Sequence, residues 1–117
     1  MCKRRLHARI EVRTPGGAWR RYKATVYLHP RGCMKASQTH LDIHFNTVPE
    51  PLRDLLFQRG LTARCTLSRG VLLVHLGLVE ARLTGLGIDP GRASLSFRCY
   101  MYRKRDGGVY LSLPWLS

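Results

Sequence analysis

Apolar and polar residues alternate with a period of two along most of this chain, the pattern of antiparallel strands that bury one face. Ile10 and Val12 alternate with Glu11 and Arg13 in a short first strand that ends at the turn Thr14-Pro15-Gly16-Gly17. Over residues 19–28, Tyr22, Ala24, Val26 and Leu28 face inward while Arg21, Lys23, Thr25 and Tyr27 face outward, until Pro30-Arg31-Gly32 breaks the run. A third strand is predicted over 33–36. A fourth follows over 41–45, with Leu41, Ile43 and Phe45 on its apolar side.

The period changes once. Over 49–59, Leu52, Leu55, Leu56 and Arg59 recur at helical spacing, and Gly60 supplies the stop, so one short helix is predicted there. Beyond it lie a strand over 61–67 and a long, largely apolar run over 71–83, read as one strand buried on more than one side. Asp89-Pro90-Gly91 is a turn, with Pro fixing φ and Gly supplying a positive φ. Residues 93–101 alternate without a fault. Asp106-Gly107-Gly108 then predicts a hairpin leading to Val109, Leu111 and Leu113. Seven or eight short strands with Gly-rich turns and one helix define an all-β protein, a small antiparallel barrel of six or more strands. Residues 1–117 are read as a single domain, in which 1–9 form a basic arm ahead of the first strand. Residues 101–117 are read as a C-terminal extension that caps the barrel. No internal repeat or linker interrupts it.

Charge changes the picture most. The 117 residues carry 20 Lys+Arg against 7 Asp+Glu, a formal net charge of +13, and 16 of the 20 cations are Arg. Arginine presents a planar fork of donors that suits phosphates and guanine edges, so an anionic partner is expected. Codon bias toward Arg is the competing explanation. Ten of the cations fall in residues 1–35, beside a single carboxylate, Glu11. No uncharged run approaches the roughly 18 apolar residues of a membrane helix, so no membrane insertion is expected. The N-terminus has no apolar stretch of a secretory leader, which makes a cytoplasmic location the expectation.

Candidate chemistry is sparse. The four cysteines, at 2, 33, 65 and 99, form no CxxC pair, and wide spacing in a cytosolic chain favours free, buried thiols. His40 and His44 share a strand face but stand four residues apart, too far for a two-histidine clamp, so no metal is expected. The carboxylates are scattered and no nucleophile sits in an activated elbow, so the chain is not read as an enzyme and needs no cofactor.

The opening Lys3-Arg4-Arg5-Leu6-His7-Ala8-Arg9 resembles the start of a PilZ domain, whose RxxxR precedes the first barrel strand. Arg5 and Arg9 meet that spacing, and Arg4 is the extra basic neighbour. The family's second motif, [DN]xSxxG, falls on Tyr27-Leu28-His29-Pro30-Arg31-Gly32, where Tyr27 replaces Asp or Asn, His29 replaces Ser, and Gly32 alone is retained. The order of later strands over 60–97 is also similar to that barrel. The resemblance implies a cytoplasmic signalling domain that binds cyclic di-GMP. Arg4, Arg5 and Arg9 would grip phosphates and guanines, while Tyr27, His29 and Gly32 close the other side. It also implies a protein partner in motility, pilus or polysaccharide machinery. With its second motif degenerate, the same resemblance allows a protein–protein adaptor that binds no nucleotide. A third reading is a basic barrel that binds nucleic acid non-specifically, using Trp19, Tyr22, Tyr27, Tyr100 or Tyr102 among its cations.

Overall fold

Ten antiparallel strands, one helix and one 3₁₀ turn make up the computed structural model, which describes residues 2–56, 60–88, 91 and 93–114. In chain order the strands are β1 (Arg4–Leu6), β2 (Arg9–Arg13), β3 (Arg20–Tyr22), β4 (Ala24–His29) and β5 (His40–Phe45). After helix α1 (Glu50–Leu56) come β6 (Leu61–Ser68), β7 (Val71–Leu76), β8 (Val79–Thr84), β9 (Leu95–Arg103) and β10 (Val109–Ser112). Neighbours run β1-β4-β5-β10-β9-β6-β7-β8-β2-β3. The two ends of that order belong to one bent hairpin. Arg4 faces Leu28 and Leu6 faces Val26 before the bend; Ile10 faces Tyr22 and Val12 faces Arg20 after it, in one unbroken register. The first half of the hairpin hands on to β5 through β4, and the second half hands on to β8 through β2, so the pairings form a closed ring. Curling the sheet on itself in this way leaves only the short strands β1 and β3 with an unpaired side among the described strands. The fold is the all-β barrel that the alternation predicts.

The bend falls at His7 and Ala8, where the chain leaves β1 for β2. There the His7 carbonyl passes so close to Gly85 that a Cβ on Gly85 would stand 2.6 Å from its oxygen, and Gly85 also holds φ at +77°. Both conditions exclude any side chain. Inside the ring, Ile10, Val26, Leu41, Ile43, Leu72, Leu83, Met101 and Leu111 are essentially inaccessible, each contributing about 1.5–3 kcal/mol by leaving water. Leu52 and Leu56 of α1 join the same core. Residues 57–59, with Arg59 of the expected helix, lie outside the described residues, as do Asp89 and Pro90 of the expected turn.

Five expectations need correction. The stretch 33–36 is not a strand: Gly32 at φ +85° starts a 3₁₀ turn over Cys33–Lys35, in which Met34 and Lys35 also hold positive φ. The run over 71–83 is two strands joined by the turn Gly77-Leu78, with Leu76 paired to Val79. Its buried positions switch from even numbers (Leu72, Val74, Leu76) to odd (Val79, Ala81, Leu83), as a two-residue hairpin requires. The basic segment is not wholly an arm, because Arg4–Leu6 is paired to β4 and Arg9 opens β2. Nor is the C-terminal stretch a cap, since β10 lies between β5 and β9. Finally, the cysteines are not free: Cys2 is bonded to Cys33 and Cys65 to Cys99. Antiparallel register sets Cys65 across from Phe97, diagonal to Cys99, with Cα atoms 6.3 Å apart, a relation between distant segments that spacing does not reveal.

Two measurements check this architecture. Leu111→Ala, in the middle of the ring, is expected to cost about 2–5 kcal/mol in urea unfolding; a loss near zero would mean that β10 is peripheral. The Cys65–Cys99 bridge closes a separation of 34 residues, worth about 3–4 kcal/mol in chain entropy. Adding reductant should lower the urea midpoint of the wild type, which loses both bridges, and lower that of a Cys65→Ala/Cys99→Ala variant less, since only Cys2–Cys33 is left there to reduce.

Candidate functional site

Alternation also dictates what the barrel shows outside. With Leu41 and Ile43 of β5 in the core, His40, Asp42 and His44 must point outward, and the same parity turns out Tyr27 and His29 of β4, Tyr110 of β10, and Tyr100 and Tyr102 of β9. Register then aligns them. His29 stands directly opposite His40, and Tyr110 opposite Tyr102. Their rings stack in a row across four strands: His29 on His40 at 4.8 Å between centroids, His40 on Tyr110 at 4.3 Å, and Tyr110 on Tyr102 at 4.6 Å.

Although it lies on the outer face, the centre of this row is buried, with His29 8%, His40 6% and Asp42 3% exposed. The 3₁₀ turn at Cys33–Lys35 lies over it and, with Lys104 and Tyr110, encloses a cavity of about 370 Å³. Removing a carboxylate from water costs several kcal/mol unless its lone pairs are satisfied. Asp42 is satisfied on both oxygens: Lys104 Nζ donates to Oδ1 at 3.0 Å and His29 Nε2 approaches Oδ2 at 2.7 Å. His40 Nε2 lies 3.7 Å from the same Oδ2. The other His40 nitrogen, Nδ1, is 3.2 Å from the Gln38 carbonyl, which can only accept, so Nδ1 donates there and the ring turns Nε2 toward Asp42.

Burial pushes the His29 pKa below its ordinary value. Asp42 pulls the other way, but the neighbouring His40, Lys104 and Lys3 side with burial. For Lys104 the balance is reversed: burial acts against its charge, and the hydrogen bond and charge of Asp42 overcome it and raise the pKa. Burial also raises Tyr110.

Of the residues singled out in the sequence, Arg5, Tyr27 and His29 share this outer face. Arg5 sits directly across from Tyr27, and the Lys3 ammonium lies 4.7 Å from the Tyr27 ring centroid. Arg4 alternates to the opposite side of β1. Arg9 lies past the bend, across from Thr84. Gly32 makes the turn that starts the covering segment, and open space surrounds it, so its role is its positive φ and not close approach to a ligand. Only His29 of the six lines the cavity. A larger cavity, about 680 Å³, lies between the β2–β3 turn and α1 and contains none of them. Sequence reasoning weighed His40 only against His44 and missed Asp42, Lys104 and Tyr110, although the outward face of β5, His-x-Asp-x-His, holds nothing but ionisable groups. Elsewhere Trp19, considered for base stacking, is already covered by two guanidiniums. Arg13 and Arg82 lie 4.5 and 4.3 Å from its ring, and each is ion-paired, to Glu80 and Glu11. Compared with known proteins, the chain matches no family model, no curated protein and no solved structure.

The His29 shift has a signed consequence. Since the folded pKa lies below the ordinary 6.5, the unfolded chain binds a proton that the folded one refuses between those two values. Stability is therefore complete above about pH 6.5 and falls as the pH drops toward the folded pKa. Urea midpoints measured in chelator from about pH 7.5 down to about 5.5 should decline in the wild type and decline less in His29→Gln. Parallel slopes would show that His29 does not carry the effect.

Proposed function

We propose that this barrel is a PilZ-like signalling domain that binds cyclic di-GMP on the outer face of β1 and β4. The supporting observation is the register that sets Arg5 directly across from Tyr27, with Lys3 over the same ring. A guanidinium, an ammonium and an aromatic face thus stand together beside a strand end. Among the described residues neither Arg5 nor Arg9 is ion-paired, whereas Glu11, Asp42, Glu80 and Asp106 all have cationic partners. An unspent guanidinium suits bidentate capture of a phosphate oxygen pair or a guanine O6/N7 edge, and Tyr27 offers a surface for base stacking. In this reading Arg5 and Arg9 grip the ligand from either side of the bend, with Arg4 adding to the local field. The signal passes to a protein partner in motility, pilus or polysaccharide machinery.

One observation favours the adaptor without nucleotide. Both substituted positions of the second motif are engaged within the protein, His29 by Asp42 and Tyr27 by Lys3 and by an edge-on contact with His44 at 6.0 Å. A ligand has to displace Lys3 before it can use the Tyr27 ring. The reading also assigns the protein to the cytoplasm, where disulfides are kept reduced. It therefore requires the barrel to stand there with four thiols.

Calorimetric titration with cyclic di-GMP tests the reading, in oxidised and reduced protein at about 0.15 M salt, where loose charge attraction is screened. Saturable binding is expected in the wild type, weakened about tenfold or more in Arg5→Ala by loss of a charge-assisted contact of about 1.5–3 kcal/mol. Heat that is absent, or equal in an Arg5→Ala/Arg9→Ala variant, rejects nucleotide binding and leaves the adaptor.

A further inference from the structure

The outer-face cluster has a feature that nucleotide binding does not use. One ring nitrogen each of His29 and His40 and an Asp42 oxygen all lie within 4.8 Å of one another. They project from adjacent paired strands of a closed barrel, with His29 opposite His40 and Asp42 two residues further along β5. We infer that His29, His40 and Asp42 form a three-ligand site for a divalent transition metal, zinc by its ligand set, with a fourth position open to the cavity beneath the 33–37 segment.

Four observations carry this. The first is the hydrogen bond of His40. Its Nδ1 donates to the Gln38 carbonyl, which is the outer bond that metal-bound histidines commonly make, and it turns Nε2 inward. The second is what Nε2 faces. It stands 3.7 Å from the Asp42 oxygen, too far for a hydrogen bond and close enough for one cation to touch both. The third is spacing. Ligands about 2.0–2.1 Å from a tetrahedral zinc stand about 3.4 Å apart, and the two distances to Asp42 Oδ2, 2.7 and 3.7 Å, straddle that value. Binding through Nε2 places the His29 proton on its other nitrogen. The fourth is the outer support. Lys104 holds Oδ1, which leaves Oδ2 to the metal and fixes the carboxylate plane, the arrangement that tunes metal sites from outside.

Two imidazoles and one carboxylate suit zinc better than the hard oxygen-only ions, and three protein ligands leave one position for water or an anionic ligand. That position opens onto Lys104 and Tyr110, a cationic and a polar aromatic wall. Cys33 also borders the cavity but is bonded to Cys2, so sulfur is not part of the ligand set. The inference stands independently of the nucleotide reading, because Arg5 and Arg9 take no part in it.

The test is a titration of the chelator-stripped, oxidised full chain with cobalt chloride, followed by zinc chloride. One equivalent of Co²⁺ should bind with the intense visible bands of a four-coordinate ion and without thiolate charge-transfer absorption, and Zn²⁺ should displace it. His40→Gln and His29→Gln should each weaken binding by about tenfold or more, the scale on which even outer-shell losses act. Arg5→Ala should bind like the wild type. Zinc should also raise the thermal midpoint of the wild type, a readout that stands if either histidine variant fails to fold. The inference is overturned by an octahedral or absent cobalt spectrum, by thiolate absorption, by undiminished binding in a folded histidine variant, or by a midpoint that zinc does not move.

Discussion

Everything in this molecule hangs on the unbroken register of its first hairpin. Two strands that bend together at His7 and Lys23 can pair with each other on both sides of the bend while giving one half to β5 and the other to β8. The bend lets the stretches 4–13 and 20–29 carry both sets of pairings, and it is possible because Gly85 has no side chain where the His7 carbonyl crosses. Register also fixes parity. Once Val26, Leu41 and Leu111 are committed to the interior, His29, His40, Asp42 and Tyr110 have no choice but the outer face.

The consequence is an unusual outer surface. A sheet face turned outward is ordinarily solvated, yet here the 3₁₀ turn and Lys104 cover it and take a carboxylate almost completely out of water. Its stability is local and electrostatic: Asp42 gains hydrogen bonds on both oxygens, and removal of either partner would leave a buried charge under-compensated. The covering segment is itself under constraint, since Met34 and Lys35 hold left-handed backbone conformations that side chains disfavour. Such conformations persist only where the surroundings over-determine them. Here the Cys2–Cys33 bond and the hydrogen bond from the Gly32 amide to the Ala36 carbonyl do so.

Local pattern foresaw the strands because each buries one face, and alternation needs no knowledge of partners. It failed where the answer depends on partners. The 71–83 run looks uniformly apolar until Leu76 pairs with Val79, and only the shift of buried parity across Gly77-Leu78 betrays the turn. The C-terminal strand resembled a cap because nothing in Val109, Leu111 and Leu113 says that β5 and β9 flank it. The disulfides and the His–Asp–His cluster were illegible for the same reason. Cys65 and Cys99, or His29 and His40, become neighbours only through pairing, and the one histidine pair that spacing offered, His40 and His44, is not the one that converges. Arg5 and Tyr27 were legible as residue types, but their apposition is a product of register.

The arginine surplus takes on a different meaning once the pairs are placed. Glu11 and Glu80 are used to hold Arg82 and Arg13 over Trp19, and Asp42 is used at the cluster, so these three carboxylates are committed locally and do not offset cations elsewhere. Arg64 and Arg98 even stand directly opposite each other on β6 and β9, a like-charge pair that costs stability. The unmatched cations Arg5 and Arg9 lie on β1 and β2, while the buried cluster lies on β4 and β5. Lys3 over Tyr27 and the Cys2–Cys33 bond join the two regions.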